Sequence, residues 1–219
     1  MKSLLVIPAF NEEPTIAGII KSSKAFIPDI LVVDDGSEDA TTLVSAVAGA
    51  MVHRLKENKG KGAALKEAFN YALDAGYDRV ITIDSDGQHD PADLANFLPL
   101  LDKYDLILGN RMGERDNVPP LRRVANLTSS FIISVLAGQR IHDSQTGFRA
   151  YSAALLRGIT LKSDRYDMES EVIIKAARKG FRIGHAKIRT IYADEVSRFR
   201  NFKDSGRFLW VVLKSFFWW

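Results

Sequence analysis

Short apolar runs alternate with longer amphipathic stretches along most of the chain. Leu4-Leu5-Val6-Ile7 is a buried-strand pattern ended by Pro8, and Asn11-Glu12-Glu13-Pro14 opens a helix that runs to about Ala25. Asp29 to Val33 forms a second apolar strand. It breaks at Asp34-Asp35-Gly36-Ser37, with Glu38 and Asp39 suited to the first turn of the next helix. Met51 to Leu55 is a third strand, followed by Glu57-Asn58-Lys59-Gly60-Lys61-Gly62 and an amphipathic helix from Ala63 to Ala75. Val80 to Ile83 is the fourth. After Pro91 a helix reaches about Asp102, and Asp105 to Leu108 is a strand ending in Gly109-Asn110-Arg111. A Gly-containing, charged loop from Arg111 to Pro120 precedes a helix over Leu121 to Ala137. Ile141 to Arg149 is a polar turn before a short strand, and Tyr166 to Glu171 opens a further helix. Strands alternating with helices predict a parallel, doubly wound α/β sheet, whose ligands lie outside the carboxyl ends of the strands.

Polar groups gather at those ends. Val80 to Ile83 delivers Asp84-Ser85-Asp86-Gly87-Gln88-His89 into a loop that Pro91 turns into a helix. Two carboxylates one residue apart suit a hard divalent cation that keeps open positions for phosphate oxygens, although Asp-Ser-Asp-Gly also suits a surface turn. Asp143 suits either a general base or a turn cap. Glu169 and Glu171 suit helix-dipole partners rather than chemistry, and His89 and His142 read as loop histidines without a paired metal spacing. No G-x-G-x-x-G follows the first strand, and no G-x-x-x-x-G-K-[ST] occurs, so dinucleotide and P-loop readings lose their main support.

Composition narrows the class. With 219 residues, 46% of them hydrophobic, the chain can bury the core of one domain plus a short appendage. The absence of cysteine excludes disulfides and thiolate metal sites, and Met1-Lys2 leads into a strand without a signal-peptide run, so a cytoplasmic catalytic part is expected. The formal charge of +3 hides an asymmetry, because residues 178–219 carry ten Lys/Arg against three Asp/Glu. All three tryptophans, Trp210, Trp218 and Trp219, fall in that tail. Its apolar run is shorter than the roughly 20 residues needed to span a bilayer. Aromatics beside Arg and Lys favour an amphipathic helix lying at a membrane interface, with packing against the body as the plain alternative. A continuous apolar run argues against a nucleic-acid partner.

Five motifs in order carry a resemblance: Ile7-Pro8-Ala9-Phe10-Asn11-Glu12-Glu13, Val32-Val33-Asp34-Asp35-Gly36-Ser37, Asn58-Lys59-Gly60-Lys61-Gly62, Asp84-Ser85-Asp86-Gly87-Gln88-His89 and Gly109-Asn110-Arg111. Together they resemble family 2 glycosyltransferases of the GT-A fold. Gln145-Thr146-Gly147-Phe148-Arg149 and Ser197-Arg198-Phe199-Arg200 are similar to the dolichol-phosphate mannose synthase and polyprenyl-phosphate glycosyltransferase branch. The resemblance implies an α/β GT-A domain over residues 1–203, with a mixed, mainly parallel sheet flanked by helices, and a membrane-associating amphipathic tail over 204–219.

It further implies that Pro8, Phe10, Glu12, Asp35, Gly36 and Lys61 bind a nucleotide-sugar donor, GDP-mannose or UDP-glucose. Asp84, Asp86 and Gln88, with Ser85 beside them, would surround Mg²⁺ or Mn²⁺ on the donor diphosphate. Arg111 and Arg198 would supply hydrogen-bond donors to developing charge. Asp143 matches a position for a base or an acceptor-orienting carboxylate, and Arg122, Arg123, Asn126 and Arg200 match an acceptor-phosphate region. The implied acceptor is a polyprenyl phosphate at the cytoplasmic face of the membrane, where the protein would be peripheral. Alternatives are a saccharide acceptor on the same fold, a sugar nucleotidyltransferase, and a non-catalytic nucleotide-sugar binding protein.

Overall fold

A computed structural model describes residues 1–111, 120–163 and 167–191. Among these residues seven strands form one sheet: β1 (Ser3–Ala9), β2 (Ile30–Asp34), β3 (Met51–Arg54), β4 (Arg79–Thr82), β5 (Leu106–Asn110), β6 (Arg149–Ser152) and β7 (Ile183–Lys187), in the order β3-β2-β1-β4-β6-β5-β7. The helices are α1 (Glu13–Ser23), α2 (Thr41–Val47), α3 (Lys61–Asp74), α4 (Leu94–Phe97), α5 (Pro120–Ala137), α6 (Ala153–Gly158) and α7 (Asp167–Arg178).

Alternate residues of the central strands enter two separate cores. Leu4 and Val6 of β1, with Leu31 and Val33 of β2, pack under α3 and α7 against Leu65, Phe69, Met168 and Val172. Leu5 and Ile7, with Ile30 and Val32, pack on the opposite face against Ile16, Ile19 and Ile20 of α1 and Phe97 of α4. Helices on both faces leave these strands no solvent side, which is why they read as unbroken apolar runs. Each such side chain contributes about 1.5–3 kcal/mol on burial.

The sheet is mainly parallel but not wholly so. β6 runs antiparallel to both neighbours, pairing Arg149 with Thr82 of β4 and with Leu108 of β5. Its reversed direction brings the turn that precedes it to the carboxyl edge of the parallel strands. Residues 141–148 thereby join the loops after β1, β2 and β4.

Several boundaries differ from expectation. β1 continues through Pro8 to Ala9, pairing them with Val33 and Asp34. Odd residues of β1 bond towards β2, as in the Asp35 N to Ala9 O bond of 2.8 Å, and even residues towards β4, as in the Ile83 N to Val6 O bond of 3.1 Å. Pro8 therefore faces the β4 side where β4 has already left the pairing, so its missing N–H costs no ladder bond. The helix expected from Pro91 to Asp102 is instead a 3₁₀ turn, four α-helical residues and a second 3₁₀ turn. Pro99 cannot bond to the carbonyl of Ala95, and the helix tightens there. Glu38 and Asp39 precede α2 rather than entering its first turn, because the Asp39 carboxylate accepts from Thr41 N at 3.0 Å. α6 and β7 are additions to the expected elements. The C-terminal tail helix of 204–219 and the loop of 112–119 lie outside the described residues.

Candidate active site

The loops after β1 and β2 are clasped together. Asn11 N donates to Ser37 Oγ (2.9 Å), Glu38 N to Asn11 Oδ1 (2.8 Å), Glu12 N to Thr41 Oγ1 (2.8 Å) and Ala40 N to a Glu13 carboxylate oxygen (3.1 Å). Asn11 adopts a left-handed φ of 55°, a conformation its short amide tolerates better than most side chains. Behind this clasp Pro8 is buried and Phe10 and Glu12 are half-buried. Thr15 Oγ1, which sequence reasoning passed over, donates to Ser85 O at 2.6 Å and ties α1 to the Asp84–Gln88 loop.

Asp35 is buried, and its two oxygens accept from Lys59 N and Gly60 N, each at 2.8 Å. Gly36 lies against the same segment: a Cβ there would stand 2.8 Å from Glu57 C and 2.9 Å from Asn58 N, at a φ of 78°. Asp35 and Gly36 thus fix the loop that starts α3 at Lys61.

Lys61 links this part of the site to the next. Its Nζ lies 2.5 Å from Asp84 Oδ1 and 2.8 Å from Glu169 Oε1. Burial alone would favour a neutral amine, but Asp84 and then Glu169 outweigh it and hold the ammonium pKa above its ordinary range. Asp84 is pulled the other way: burial opposes its charge, and Lys61 and the neighbouring His89 more than offset this, so its carboxyl stays well below the usual range. Nε2 of the buried His89 is 3.6 Å from Asp84 Oδ2. Asp86 has the opposite balance. Burial and then Asp84 push its pKa up, against the hydrogen bond that Gln88 N donates to its Oδ1 at 3.0 Å.

Glu169 is a functional candidate that a first-turn acid does not announce. It does sit in the first turn of α7, yet its side chain serves Lys61 rather than the dipole alone. Glu171 is structural. It accepts from Lys162 N and Ser163 N at 3.0 and 2.8 Å and pairs with Lys175, and these donors hold its pKa down despite its burial.

The turn before β6 brings Asp143 to the same edge. Arg111 forks onto it, Nε to Oδ2 at 2.6 Å and Nη2 to Oδ1 at 3.0 Å, while Gln145 N donates to Oδ1 at 3.0 Å. Asp143 therefore caps its turn and also orients a guanidinium. Burial works against its charge, and Arg111 prevails, lowering its pKa. Gly147 packs so closely on Asp84 that a Cβ would overlap the carboxylate, and Thr82 Oγ1 donates to Gly147 O at 2.7 Å. Fully buried Arg149 supports the turn, donating to the carbonyls of Thr146, Glu169 and Ser144 at 2.7, 2.7 and 2.9 Å. Hydroxyls on α5 hold the other side: Ser144 N donates to Ser130 Oγ at 3.1 Å, and Ile141 N to Ser134 Oγ at 2.9 Å.

Asn126 lies half-buried on α5. Arg122 and Arg123 fall in its first turn with side chains outside the described residues, as are Arg198 and Arg200 altogether.

Among the described residues no three His, Cys, Asp or Glu side chains are arranged as a complete metal site. Asp84 and Asp86 fit a hard divalent cation in another way. They are oxygen donors one residue apart, burial and then the charge of Asp84 raise the pKa of Asp86, and phosphate oxygens can complete the shell.

A model of the family described as "Glycosyl transferase family 2" matches residues 4–160, a span that includes Asp35, Lys61, Asp84, Asp86, Arg111 and Asp143. The chain belongs to glycosyl transferase family 2. This family 2 chain is 33% identical over 215 residues to the UDP-N-acetylglucosamine--dolichyl-phosphate N-acetylglucosaminyltransferase of Methanococcus voltae, covering 87% of this chain and 86% of that one. It is 31% identical over 197 residues to the undecaprenyl-phosphate mannosyltransferase of Micrococcus luteus, covering 84% and 81% respectively. Glucosyl-3-phosphoglycerate synthase from Mycobacterium tuberculosis, crystallised with UDP, superposes with a TM-score of 0.79 at 22% identity, over 98% of this chain and 79% of that one. That likeness concerns the fold, which is GT-A. As a family 2 member the protein is a glycosyltransferase.

Proposed function

We propose that this family 2 enzyme moves a sugar, mannose or glucose, from a nucleoside diphosphate sugar to a polyprenyl phosphate, inverting the anomeric centre at the cytoplasmic face of a membrane. The observation that carries the acceptor reading is α5. Val124, Leu127, Phe131 and Val135 are all exposed on it. Their spacing places them on one stripe, following a first turn that contains Arg122 and Arg123. The serines of the same helix hold the Ile141–Ser144 turn that presents Asp143. A phosphate gripped at the basic start would leave its lipid along the apolar stripe. The polyprenyl-phosphate relatives support this reading, and no described helix is long and apolar enough to cross a membrane.

On the donor side, Pro8, Phe10, Glu12, Asp35 and Gly36 form a pre-shaped wall for base and ribose. Asp84, Asp86 and Gln88 would hold Mg²⁺ or Mn²⁺ on the diphosphate. The mycobacterial synthase has been crystallised with either ion and UDP, which supports that choice. Bound there, the cation offsets charge on the departing nucleoside diphosphate. Lys61 adds a second positive charge beside the diphosphate.

A phosphate acceptor is already ionised near neutral pH, so little proton removal is required. The depressed pKa of Asp143 and its fork to Arg111 suit orientation of a guanidinium towards the acceptor phosphate, with Arg198 and Arg200 as further donors. The test is incubation of purified protein with radiolabelled GDP-mannose or UDP-glucose and vesicles containing undecaprenyl or dolichyl phosphate. Label is expected in the lipid fraction. Label appearing only in water-soluble saccharide would assign a different acceptor.

A further inference from the structure

Lys61 stands where a cation is not naturally favoured. It is the first residue of α3, at the positive end of the helix dipole, and the first turn of α3 contains no acidic residue. Two carboxylates from distant parts of the chain hold it there, Asp84 at 2.5 Å and Glu169 at 2.8 Å. Glu169 is itself fixed from two directions. It lies in the first turn of α7, where the dipole favours an acid, and its carbonyl accepts from buried Arg149 at 2.7 Å. The ammonium therefore sits between a carboxylate that belongs to the scaffold and one that faces the donor.

We infer that Glu169 is a positioning residue that stations the Lys61 ammonium on Asp84, making Lys61 the internal cation that a divalent ion must displace before Asp84 can become a ligand. The inference rests on the metal reading of Asp84 and Asp86 given above. An ammonium on Asp84 Oδ1 occupies one of the lone pairs of that carboxylate, neutralises its charge and repels an arriving dication at close range. While the site is waiting for donor, Lys61 supplies the positive charge that keeps adjacent Asp84 and Asp86 compatible. When donor arrives, Glu169 retains the ammonium beside the diphosphate.

The test is titration of the purified protein with Mn²⁺ alone, reading free Mn²⁺ by electron paramagnetic resonance. Lys61→Met is expected to bind about 10- to 100-fold more tightly than wild type, because its ammonium no longer sits on Asp84, and Glu169→Gln more weakly, because Lys61 loses the carboxylate that shares it with Asp84. The double variant Lys61→Met/Glu169→Gln decides between this arrangement and simple charge addition. It changes no net charge, so charge addition returns it to wild-type affinity, whereas the inference keeps it close to Lys61→Met. Circular dichroism melts identify folded variants, and Lys61→Gln replaces Lys61→Met if the latter fails to fold. No gain in either Lys61 variant, whether all proteins bind alike or none binds, overturns the inference, as does wild-type affinity in the double variant. Asp86→Ala in the Lys61→Met background separates the two readings. Retained tight binding there would defeat the Asp84–Asp86 metal reading. Lost binding there, with the double variant at wild-type affinity, would defeat only the role of Glu169.

Discussion

The loops after β1 and β2 and the loop after β4 share one edge of one sheet, yet different kinds of bond hold them. The first pair is joined by backbone donors, Asn11, Glu12 and Glu38, and Lys59 and Gly60 tie the loop after β3 to it in the same way, all giving N–H groups to side-chain oxygens. The second region, with the turn before β6, is joined mainly by charge, through Lys61 with Asp84 and Glu169 and through Arg111 with Asp143, beside the neutral bond from Thr15 Oγ1 to Ser85 O. Backbone clasps keep one shape, because their donors cannot move without the main chain. Ion pairs can change partners at the cost of a side-chain rotation. In the function proposed above, a wall for a rigid base and ribose would suit the former, and a centre through which charge passes the latter.

Substitutions can break that contrast. Asp86→Ala should lower sugar transfer about a thousandfold with an unchanged melting temperature. Near-normal turnover, measured as labelled sugar entering lipid, would remove Asp86 from the chemistry. Gly147→Ala comes next. The three atoms nearest to its Cβ all belong to the Asp84 side chain, which can swing away, so activity should fall about a hundredfold with a small change in melting.

Gly36→Ala probes the clasped side and should behave in the opposite way. Its Cβ meets the backbone of Glu57 and Asn58, 2.8 and 2.9 Å away, at a positive φ, so about 2 kcal/mol of stability should be lost in denaturant unfolding. If Gly36→Ala spared stability and Gly147→Ala destroyed it, the contrast would be reversed.

The smallest expected effect concerns His185, whose Nε2 accepts from His142 N at 3.3 Å. Burial and then His142 lower its pKa from the ordinary 6.5 to about 4. Because the folded value is the lower one, the unfolded chain binds the extra proton between those limits. The contribution is complete above pH 6.5 and is lost as pH falls towards 4. Discounted for the half-exposed ring, wild type should lose on the order of 1 kcal/mol more than His185→Leu between pH 7 and 5. Equal losses in the two proteins would show that the imidazole is not responsible.

Much of the clasped region and of the Asp84–Gln88 loop is legible along the chain, because the residues concerned sit next to the strand that presents them. Asp35 follows β2 directly, and Asp84 and Asp86 follow β4. The Lys61–Glu169 pair is not legible in this way. It joins residues 61 and 169 through two helix starts, and an acid in a first turn already has a sufficient explanation in the dipole. The direction of β6 is hidden for a related reason: Arg149-Ala150-Tyr151-Ser152, no shorter than β3 or β4, lacks the apolar run of β1 and β2. Ile183-Gly184-His185-Ala186-Lys187 is equally quiet, and β7 owes its place to pairing with β5. Asp143 is legible in part: its carboxylate caps the turn, as the sequence allows, and it also holds Arg111, a partner that nothing along the chain announces.

Pro8 has one more consequence, which concerns isotope exchange. Lacking an amide hydrogen, it leaves the fork between β1 and β4 without a reporter of its own. Amides on the neighbouring segments serve instead: that of Asp35, bonded to Ala9 O, and that of Ile83, bonded to Val6 O. Slower deuterium uptake at Asp35 would register an occupant of the clasped loops, and at Ile83 an occupant of the charged one, so this pair of amides reads the two halves of the site separately.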